Sequence, residues 1–278
     1  MHRKSCCLRT TLVAIFISAA PPTIWTQHST DELRMRAEQG NAAAQFNLGR
    51  LYITGTGVPR DETEAVRWYR LAADQGHVGA QHSLGLRYET GSGIQKDEAA
   101  AVHWYRLAAD QGHWEAEFRL GRMYDRGSGV AENDTEAVHW YRLAADQGHA
   151  EAQFSLGTMY FNGWGVMQDQ AEAARWIKLA ASQGGSAAQI TLASMYETGT
   201  GLPLDKALAW RWYRLAAVQG DASAQVALGY LYANGIGVSE NLSEALAWYR
   251  LAADQGHAEA QFSLGNMYFN GRRCAPGL

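Results

Sequence analysis

The sequence has few cysteines, few prolines and no excess of basic residues. Only three of its 278 residues are cysteines, and Cys6 and Cys7 are adjacent, which excludes a disulfide framework and a zinc site of the Cys-x-x-Cys type. Lysine and arginine total 24 against 28 acidic residues, a formal charge of -4, so no cationic excess exists for a phosphate backbone. We therefore expect no structural metal, no cofactor and no nucleic-acid partner.

A single apolar run stands out near the start of the chain. It extends from Leu12 to Ala20, follows basic residues such as Arg3 and Lys4, and is closed by Pro21 and Pro22. Nine residues are about half of what a membrane helix needs. The pattern predicts a signal peptide over residues 1–28, with the cut site left open, and hence an exported chain, periplasmic or secreted, without a membrane span. An uncut segment acting as a membrane anchor is the alternative.

Glycine, by contrast, is abundant, and its positions reveal an internal repeat. The dipeptide Gln-Gly recurs every 36 residues from Gln39-Gly40 to Gln255-Gly256, and a fixed period of this length is typical of a solenoid. A half-repeat helix over 29–40 precedes the first full unit. The predicted full repeats are 41–76, 77–112, 113–148, 149–184, 185–220 and 221–256, and a partial seventh repeat and tail occupy 257–278.

The first half of each repeat reads as an amphipathic helix. In the first unit, Ala44, Leu48 and Tyr52 share one face at helical spacing, and Gly55 is placed to end the helix in a left-handed conformation. Arg70 in the second half stands four residues before Asp74, a pairing that recurs and predicts exposed ion pairs.

The second half of each repeat begins with a residue that can cap a helix. Glutamate follows three residues later in four repeats, which predicts a capping box. The cap residues are Asp61, Asp97, Asn133, Asp169, Asp205 and Asn241. The tryptophans at 68, 104, 140, 176, 212 and 248 are expected to fill the core between small residues of neighbouring helices. No repeat could bury its apolar face alone, so stability must come from stacking.

These residues resemble the repeat of the Sel-one-like repeat (SLR) family, relatives of tetratricopeptide repeats. The motif is Ala44-x-x-x-Leu48-Gly49-x-x-Tyr52-x-x-Gly55-x-Gly57, then Asp61, Ala65, Trp68-Tyr69, Ala72-Ala73 and Gln75-Gly76. The resemblance covers nearly all of 29–271, with Ala193 and Ile177 as departures. It implies an all-α fold, a right-handed superhelix of helix pairs with first helices on the concave side, and an adaptor role without catalytic residues.

We find no constellation that would support an enzyme. Histidines such as His77 and His113 recur at equivalent places, about 10 Å apart in a stack of helices, which is too far for two imidazoles to share a zinc ion. We expect them to be polar residues of a first helical turn. Cys274 lies beside Arg272 and Arg273, and we interpret it as a terminal thiol in a polar tail.

Function in a repeat scaffold is expected where the repeats differ. One stripe of the first helix carries small polar residues in most units, but Arg119, Arg122 and Arg126 in the third, with Arg87 in the unit before. We hypothesise that this stripe binds an acidic segment or C-terminal carboxylate of a protein partner. The alternative is a solvated face balanced by Asp125 and Glu117.

Three unit-specific aromatic residues are secondary candidates. Tyr230, Trp114 and Trp164 either anchor a partner or pack in the core, and core packing is the simpler expectation. The last helix, from Gln261 to Phe269, lacks a second helix over it, which predicts fraying, self-association or partner docking.

The sequence therefore favours a non-enzymatic scaffold that binds a protein or peptide in its groove, in envelope signalling or host interaction. A β-lactam or peptidoglycan hydrolase and a membrane-tethered scaffold are the alternatives.

Overall fold

The structure, a computed structural model, describes residues 22–269, with side chains described from residue 29. The apolar run of the predicted signal peptide and the tail with Cys274 lie outside this part of the chain. The described residues form fourteen α-helices and no strand, which confirms an all-α repeat fold. The helices are α1 (Pro22–Glu38), α2 (Ala42–Thr54), α3 (Glu62–Asp74), α4 (Val78–Thr90), α5 (Glu98–Ala109), α6 (Trp114–Arg126), α7 (Asp134–Asp146), α8 (Ala150–Asn162), α9 (Gln170–Ser182), α10 (Ser186–Thr198), α11 (Lys206–Val218), α12 (Ala222–Asn234), α13 (Leu242–Asp254) and α14 (Ala258–Phe269).

The chain ends of this array differ from the interior. Helix α1 begins at Pro22, earlier than the half-repeat helix predicted over 29–40, and proline is well suited to a first helical turn. In α14, Phe262 and Tyr268 are exposed as expected, while Leu264 is half-buried. Self-association through α14 stays a prediction. None of the described helices is long and apolar enough to cross a membrane.

The first helix of each repeat has a polar cap at its start and a glycine at its end. The recurring histidines act as the caps: Nδ1 of His77 accepts a hydrogen bond from the amide of Ala80 at 3.2 Å, and His113 and His149 do the same one and two repeats later. They precede the first turn that we expected them to occupy. Gly55 ends α2 at φ +72°, in the left-handed conformation predicted for it.

The second helices are capped as predicted, but the capping box is wrong. Asp61 accepts from the amides of Thr63 and Glu64, whereas its own amide donates to the Tyr52 carbonyl of the helix before. With that amide already bonded, the glutamates three residues on are free for other partners. Three of them accept the indole N–H of the tryptophan one turn later: Glu136 from Trp140, Glu172 from Trp176 and Glu244 from Trp248.

The aromatic core is centred on tyrosine more than on tryptophan. Trp68, Trp140 and Trp176 are buried, but the other three tryptophans of the row are only half-buried, contrary to expectation. The residue after each tryptophan is buried in all six repeats, as Tyr69 is in the first. Its ring lies on a glycine of the first helix: a Cβ added to Gly49 would stand 2.7 Å from Tyr69 Cε1. Glycine is needed there for close approach.

Neighbouring repeats are joined by recurrent polar bridges. The arginines of the second helices bond the tyrosine of the next first helix instead of the aspartate four residues on, so the ion-pair expectation was wrong. These pairs are Arg70 with Tyr88, Arg106 with Tyr124, Arg142 with Tyr160 and Arg250 with Tyr268. The tyrosine offers both a hydroxyl acceptor and a ring face for the guanidinium, which the exposed aspartate does not.

A second bridge uses the glutamine of the Gln-Gly dipeptide. Gln75 donates to Gln45 at 2.7 Å, and Gln45 donates in turn to the Ala37 carbonyl of the preceding unit at 3.1 Å. The buried amide of Gln45 thus connects three helices. Consecutive helices make the main backbone contacts along the chain, so the molecule is a linear stack.

Candidate partner-binding face

The arginine stripe lies on α6, the first helix of the third repeat. Arg119, Arg122 and Arg126 follow one another at three- and four-residue spacing, and Gly127 ends the helix directly after them at φ +63°. Their side chains are not equivalent: Arg119 and Arg122 are half-buried, and Arg126 is exposed.

Arg119 is held in a network inside the protein. Its guanidinium lies 3.1 Å from Glu89 of the preceding first helix and 3.1 Å from Glu115 one turn earlier. Glu89 also accepts the Tyr105 hydroxyl at 2.6 Å, and burial raises the pKa of Tyr105, so that hydroxyl remains a donor. Both carboxylates are satisfied by this arrangement, and the guanidinium is therefore committed to it.

The acidic residues expected to balance the stripe have other roles. Glu117 is buried, at 2 % exposure, and accepts from Gln147 at 2.8 Å on the far side of α6. Asp125 accepts the Tyr141 hydroxyl at 3.0 Å. Glu89 and Glu115 are the actual counter-charges. A glutamate four residues before Arg119 is a signal that the sequence analysis missed.

Arg122 and Arg126 are the two arginines of the stripe that lie outside the Arg119 network. Neither forms an ion pair with any residue in the described part of the chain. Both line a cavity of about 190 Å³ whose other walls include Glu89, Lys96 and Met123. The Arg122 guanidinium lies 5.8 Å from the centre of the Phe118 ring, which holds it over α6.

Arg87 is placed beside the preceding repeat. Burial raises the pKa of Tyr69, and the positive charges of Arg87 and Arg50 act in the opposite direction. The Arg87 side chain is half-buried, and its Nε has no hydrogen-bond partner among the described residues. Arg87 therefore lies on α4 near Tyr69 of α3, and none of these contacts connects it to the stripe.

A second cavity of about 190 Å³ adjoins the stripe toward the fourth repeat. Asp125 and Tyr141 form one side, Phe154 and Thr158 lie on α8, and Trp164 comes from the following turn. Burial raises the pKa of Tyr141, while the positive charge of Arg122 acts to lower it. Cationic and aromatic groups thus meet between α6 and α8.

The unit-specific aromatic residues are exposed, so core packing was the wrong expectation for them. Trp164 is 49 % exposed, Trp114 43 % and Tyr230 51 %. Tyr230 occupies on α12 the place that Arg122 occupies on α6, three repeats earlier. Trp114 lies instead at the start of α6, against the His149 ring at 4.8 Å. The stripe residues of α2, Asn47, Arg50 and Thr54, line a further cavity of about 580 Å³.

The described residues contain no group of three or more side chains placed to hold a metal ion. Two imidazoles, those of His82 and His113, do stack with centroids 4.6 Å apart, and burial lowers the pKa of His82 to about 4. His82 and His113 occupy different positions within their repeats, so the spacing expected between equivalent histidines does not apply to this pair.

Comparison with known proteins agrees with the repeat architecture. The family model for the Sel1 repeat matches seven times, at 42–77, 78–113, 114–149, 150–185, 186–221, 222–257 and 258–276. No curated protein matches the sequence significantly.

Two solved structures are similar to the chain over most of its length. One is a protective antigen present in uropathogenic Escherichia coli strains and displaying an SLR fold, 40% identical with a TM-score of 0.85; the match covers 89% of this chain and 53% of that one. The other is a Sel1 repeat protein from Oxalobacter formigenes, 37% identical with a TM-score of 0.73, covering 87% of this chain and 71% of that one. The chain thus spans about half the length of the first relative. With seven matched repeats and these relatives, the chain belongs to the Sel1 repeat family, whose members are generally protein–protein interaction scaffolds.

Proposed function

We propose that this chain is a non-enzymatic scaffold that binds a protein or peptide segment along the face formed by its first helices. The observation that supports this best is the pair Arg122 and Arg126, which only the third repeat combines. Neither arginine has an ion pair to a described residue, both line one cavity, and Trp164 lines a second cavity that adjoins the stripe. Positions with the same residue in all repeats build the stack, whereas residues that differ between repeats, such as Arg126 and Trp164, can bind a partner.

The chemistry of this face fits a segment that carries both a carboxylate and an apolar side chain. Arg122 and Arg126 are two guanidinium groups that can each receive a carboxylate through paired hydrogen bonds. The adjoining cavity offers Trp164 and Phe154 to a ring or an aliphatic chain. Glu89 and Glu98 at the cavity wall would repel a segment whose acid is placed out of register, which favours one alignment.

We further propose that the chain acts outside the cytoplasm, in the periplasm or after secretion. The support is the basic start and apolar run of residues 1–28, together with a relative described as a protective antigen in Escherichia coli. Sequencing the N-terminus of the mature protein tests this proposal. A start within residues 19–30 supports export, and an intact Met1 in the membrane fraction would favour the tethered alternative.

The binding face can be tested with a pair of matched charge changes. Bound partners are captured with the full chain, identified by mass spectrometry, purified and titrated by calorimetry. We expect Arg122→Ala/Arg126→Ala to weaken binding about tenfold or more, because each lost charge-assisted bond costs on the order of 1.5–3 kcal/mol. Arg119 is left unchanged, since its loss would disturb Glu89 and Tyr105.

The control is Arg60→Ala/Arg67→Ala on the first repeat. Those arginines are exposed and paired with Glu62 and Glu64, so the control removes the same net charge at a distance from the stripe. Equal weakening by both double variants would mean that overall charge, and not this face, governs binding. Unchanged affinity of Arg122→Ala/Arg126→Ala would refute the proposed site.

A further inference from the structure

Helix α11, the second helix of the fifth repeat, has an exposed groove along its outer face. The groove has a volume of about 530 Å³ and is lined by α11 and the residue after it. Its two edges are rows at four-residue spacing: Trp210, Arg214 and Val218 on one side, and Arg211, Leu215 and Gln219 on the other. Leu215 is about half exposed, and Val218 is 70 % exposed.

The charge of α11 differs from that of every other second helix in the six full repeats. It carries Lys206, Arg211 and Arg214 and no acidic residue. At the place of Val218, four of the other repeats have an aspartate: Asp74, Asp110, Asp146 and Asp254. The fifth repeat thus replaces an acidic surface by an apolar and cationic one, in a chain whose net charge is negative.

Trp210 changes what Arg214 contacts. Valine occupies the place of Trp210 in the first three repeats, where the equivalent arginine bonds the tyrosine of the next first helix. In the fifth repeat the Trp210 ring meets that tyrosine, Tyr232, edge-on at 6.1 Å. The Arg214 guanidinium lies over Trp210 instead, 5.5 Å from the ring centre, without a hydrogen bond or ion pair to a described residue. The substitution therefore leaves an uncommitted cation at the edge of the groove.

A groove between two four-residue rows of a helix is shaped to receive a row of side chains from another helix. Helices pack in this way by placing the ridges of one into the grooves of the other, at axial distances of about 8–10 Å. A bilayer would favour a broad apolar face, whereas the apolar residues of this groove share its two edges with Arg211 and Arg214. The shape therefore favours a helix as the occupant.

We propose that the outer face of α11 docks an amphipathic helix of a partner protein, with apolar residues four apart in the groove and acidic residues against Arg211 and Arg214. Leu215 and Val218 would cover the apolar ridge, and the two arginines would fix its direction. This site lies on a second helix and does not depend on the first-helix face around Arg122.

The test uses helical 16-residue peptides displayed on yeast and selected against the full chain, followed by titration of the enriched peptides in solution. We expect enriched peptides to carry apolar residues at i and i+4 flanked by at least two acids. Val218→Asp and Trp210→Val should each weaken their binding about tenfold or more. Val218→Asp removes apolar cover from the groove, and Trp210→Val allows Arg214 to bond Tyr232 instead of a ligand.

Both variants recreate residues that other repeats carry, so both are expected to fold, which circular dichroism verifies. Arg122→Ala/Arg126→Ala serves as the control that must leave this binding unchanged. Three results would overturn the proposal: enriched peptides without acids, peptides that bind Val218→Asp as tightly as the wild type, and binding to phosphatidylglycerol vesicles in place of any peptide enrichment.

Discussion

A buried carboxylate occupies one position in a row of otherwise identical glutamines. Gln45, Gln81 and their counterparts donate to an alanine carbonyl eight residues earlier and accept from the glutamine 30 residues later. Glu117 takes this place in the third repeat, and among the described residues its side chain keeps only the hydrogen bond from Gln147. Burial raises the pKa of Glu117, because the ionised carboxylate loses its water, and the hydrogen bond from Gln147 acts in the opposite direction.

This difference predicts a stabilising substitution. Glu117→Gln should raise the free energy of unfolding at pH 7 by about 1–2 kcal/mol, since the amide restores the missing donor and removes a buried charge. A raised pKa in the folded state means that the wild-type glutamate is tolerated when protonated and costs stability as pH rises above about 4.3. The gain from Glu117→Gln should therefore shrink toward pH 4, as measured by urea unfolding.

The reverse change in the second repeat is the matched control. Gln81→Glu creates the same buried carboxylate in place of an amide that donates to the Ala73 carbonyl. It should destabilise the chain at pH 7 by a similar amount. A Glu117→Gln protein no more stable than the wild type at pH 7 would show that Glu117 has another partner.

The turn after each first helix contains two glycines with different structural roles. Gly127 and Gly129 share the left-handed conformation, at φ +63° and +68°. A Cβ on Gly127 would have Glu132 as its nearest contact, at 3.4 Å, whereas a Cβ on Gly129 would lie 2.3 Å from the Glu98 carbonyl of the previous repeat. The first glycine permits the turn, and the second permits the turn to rest against the neighbouring repeat.

Alanine substitutions at these two glycines therefore measure the cost of backbone strain and the cost of a clash between repeats separately. Gly127→Ala should cost about 1–2 kcal/mol, the cost of a left-handed conformation for a residue with a Cβ. Gly129→Ala carries the same strain and adds a backbone clash, which should cost about 1–3 kcal/mol more. Urea unfolding of both variants at pH 7 measures the difference. Equal losses would mean that repeats do not pack as closely at this turn as the structure shows.

At the scale of the whole molecule, the fold could be predicted because local signals agree in every repeat. The 36-residue period, the caps such as Asp61 and the terminating glycines such as Gly55 each fix one boundary of a helix. Side-chain partners could not be predicted in the same way. Arg119 finds Glu89 30 residues earlier, and Arg70 prefers Tyr88 to Asp74, because these choices depend on how neighbouring repeats pack.

The candidate face was predicted only in outline. The stripe of Arg119, Arg122 and Arg126 could be read from helical spacing, but the burial of Arg119 between two carboxylates could not. The cavity beside Trp164 could not be predicted from the sequence, because its walls come from three helices and a turn. The departures of α11 were visible in the sequence as a valine among aspartates, although their effect on Arg214 was not.

The chain is a linear array in which each repeat is stabilised mainly by its neighbours. Native-state hydrogen exchange, resolved by repeat and compared between wild type and Gly129→Ala, tests it most directly. A linear array predicts faster exchange in the second and third repeats, 77–148, with an effect that declines toward both ends. Equal acceleration across all repeats, as in a single cooperative globule, would contradict the account.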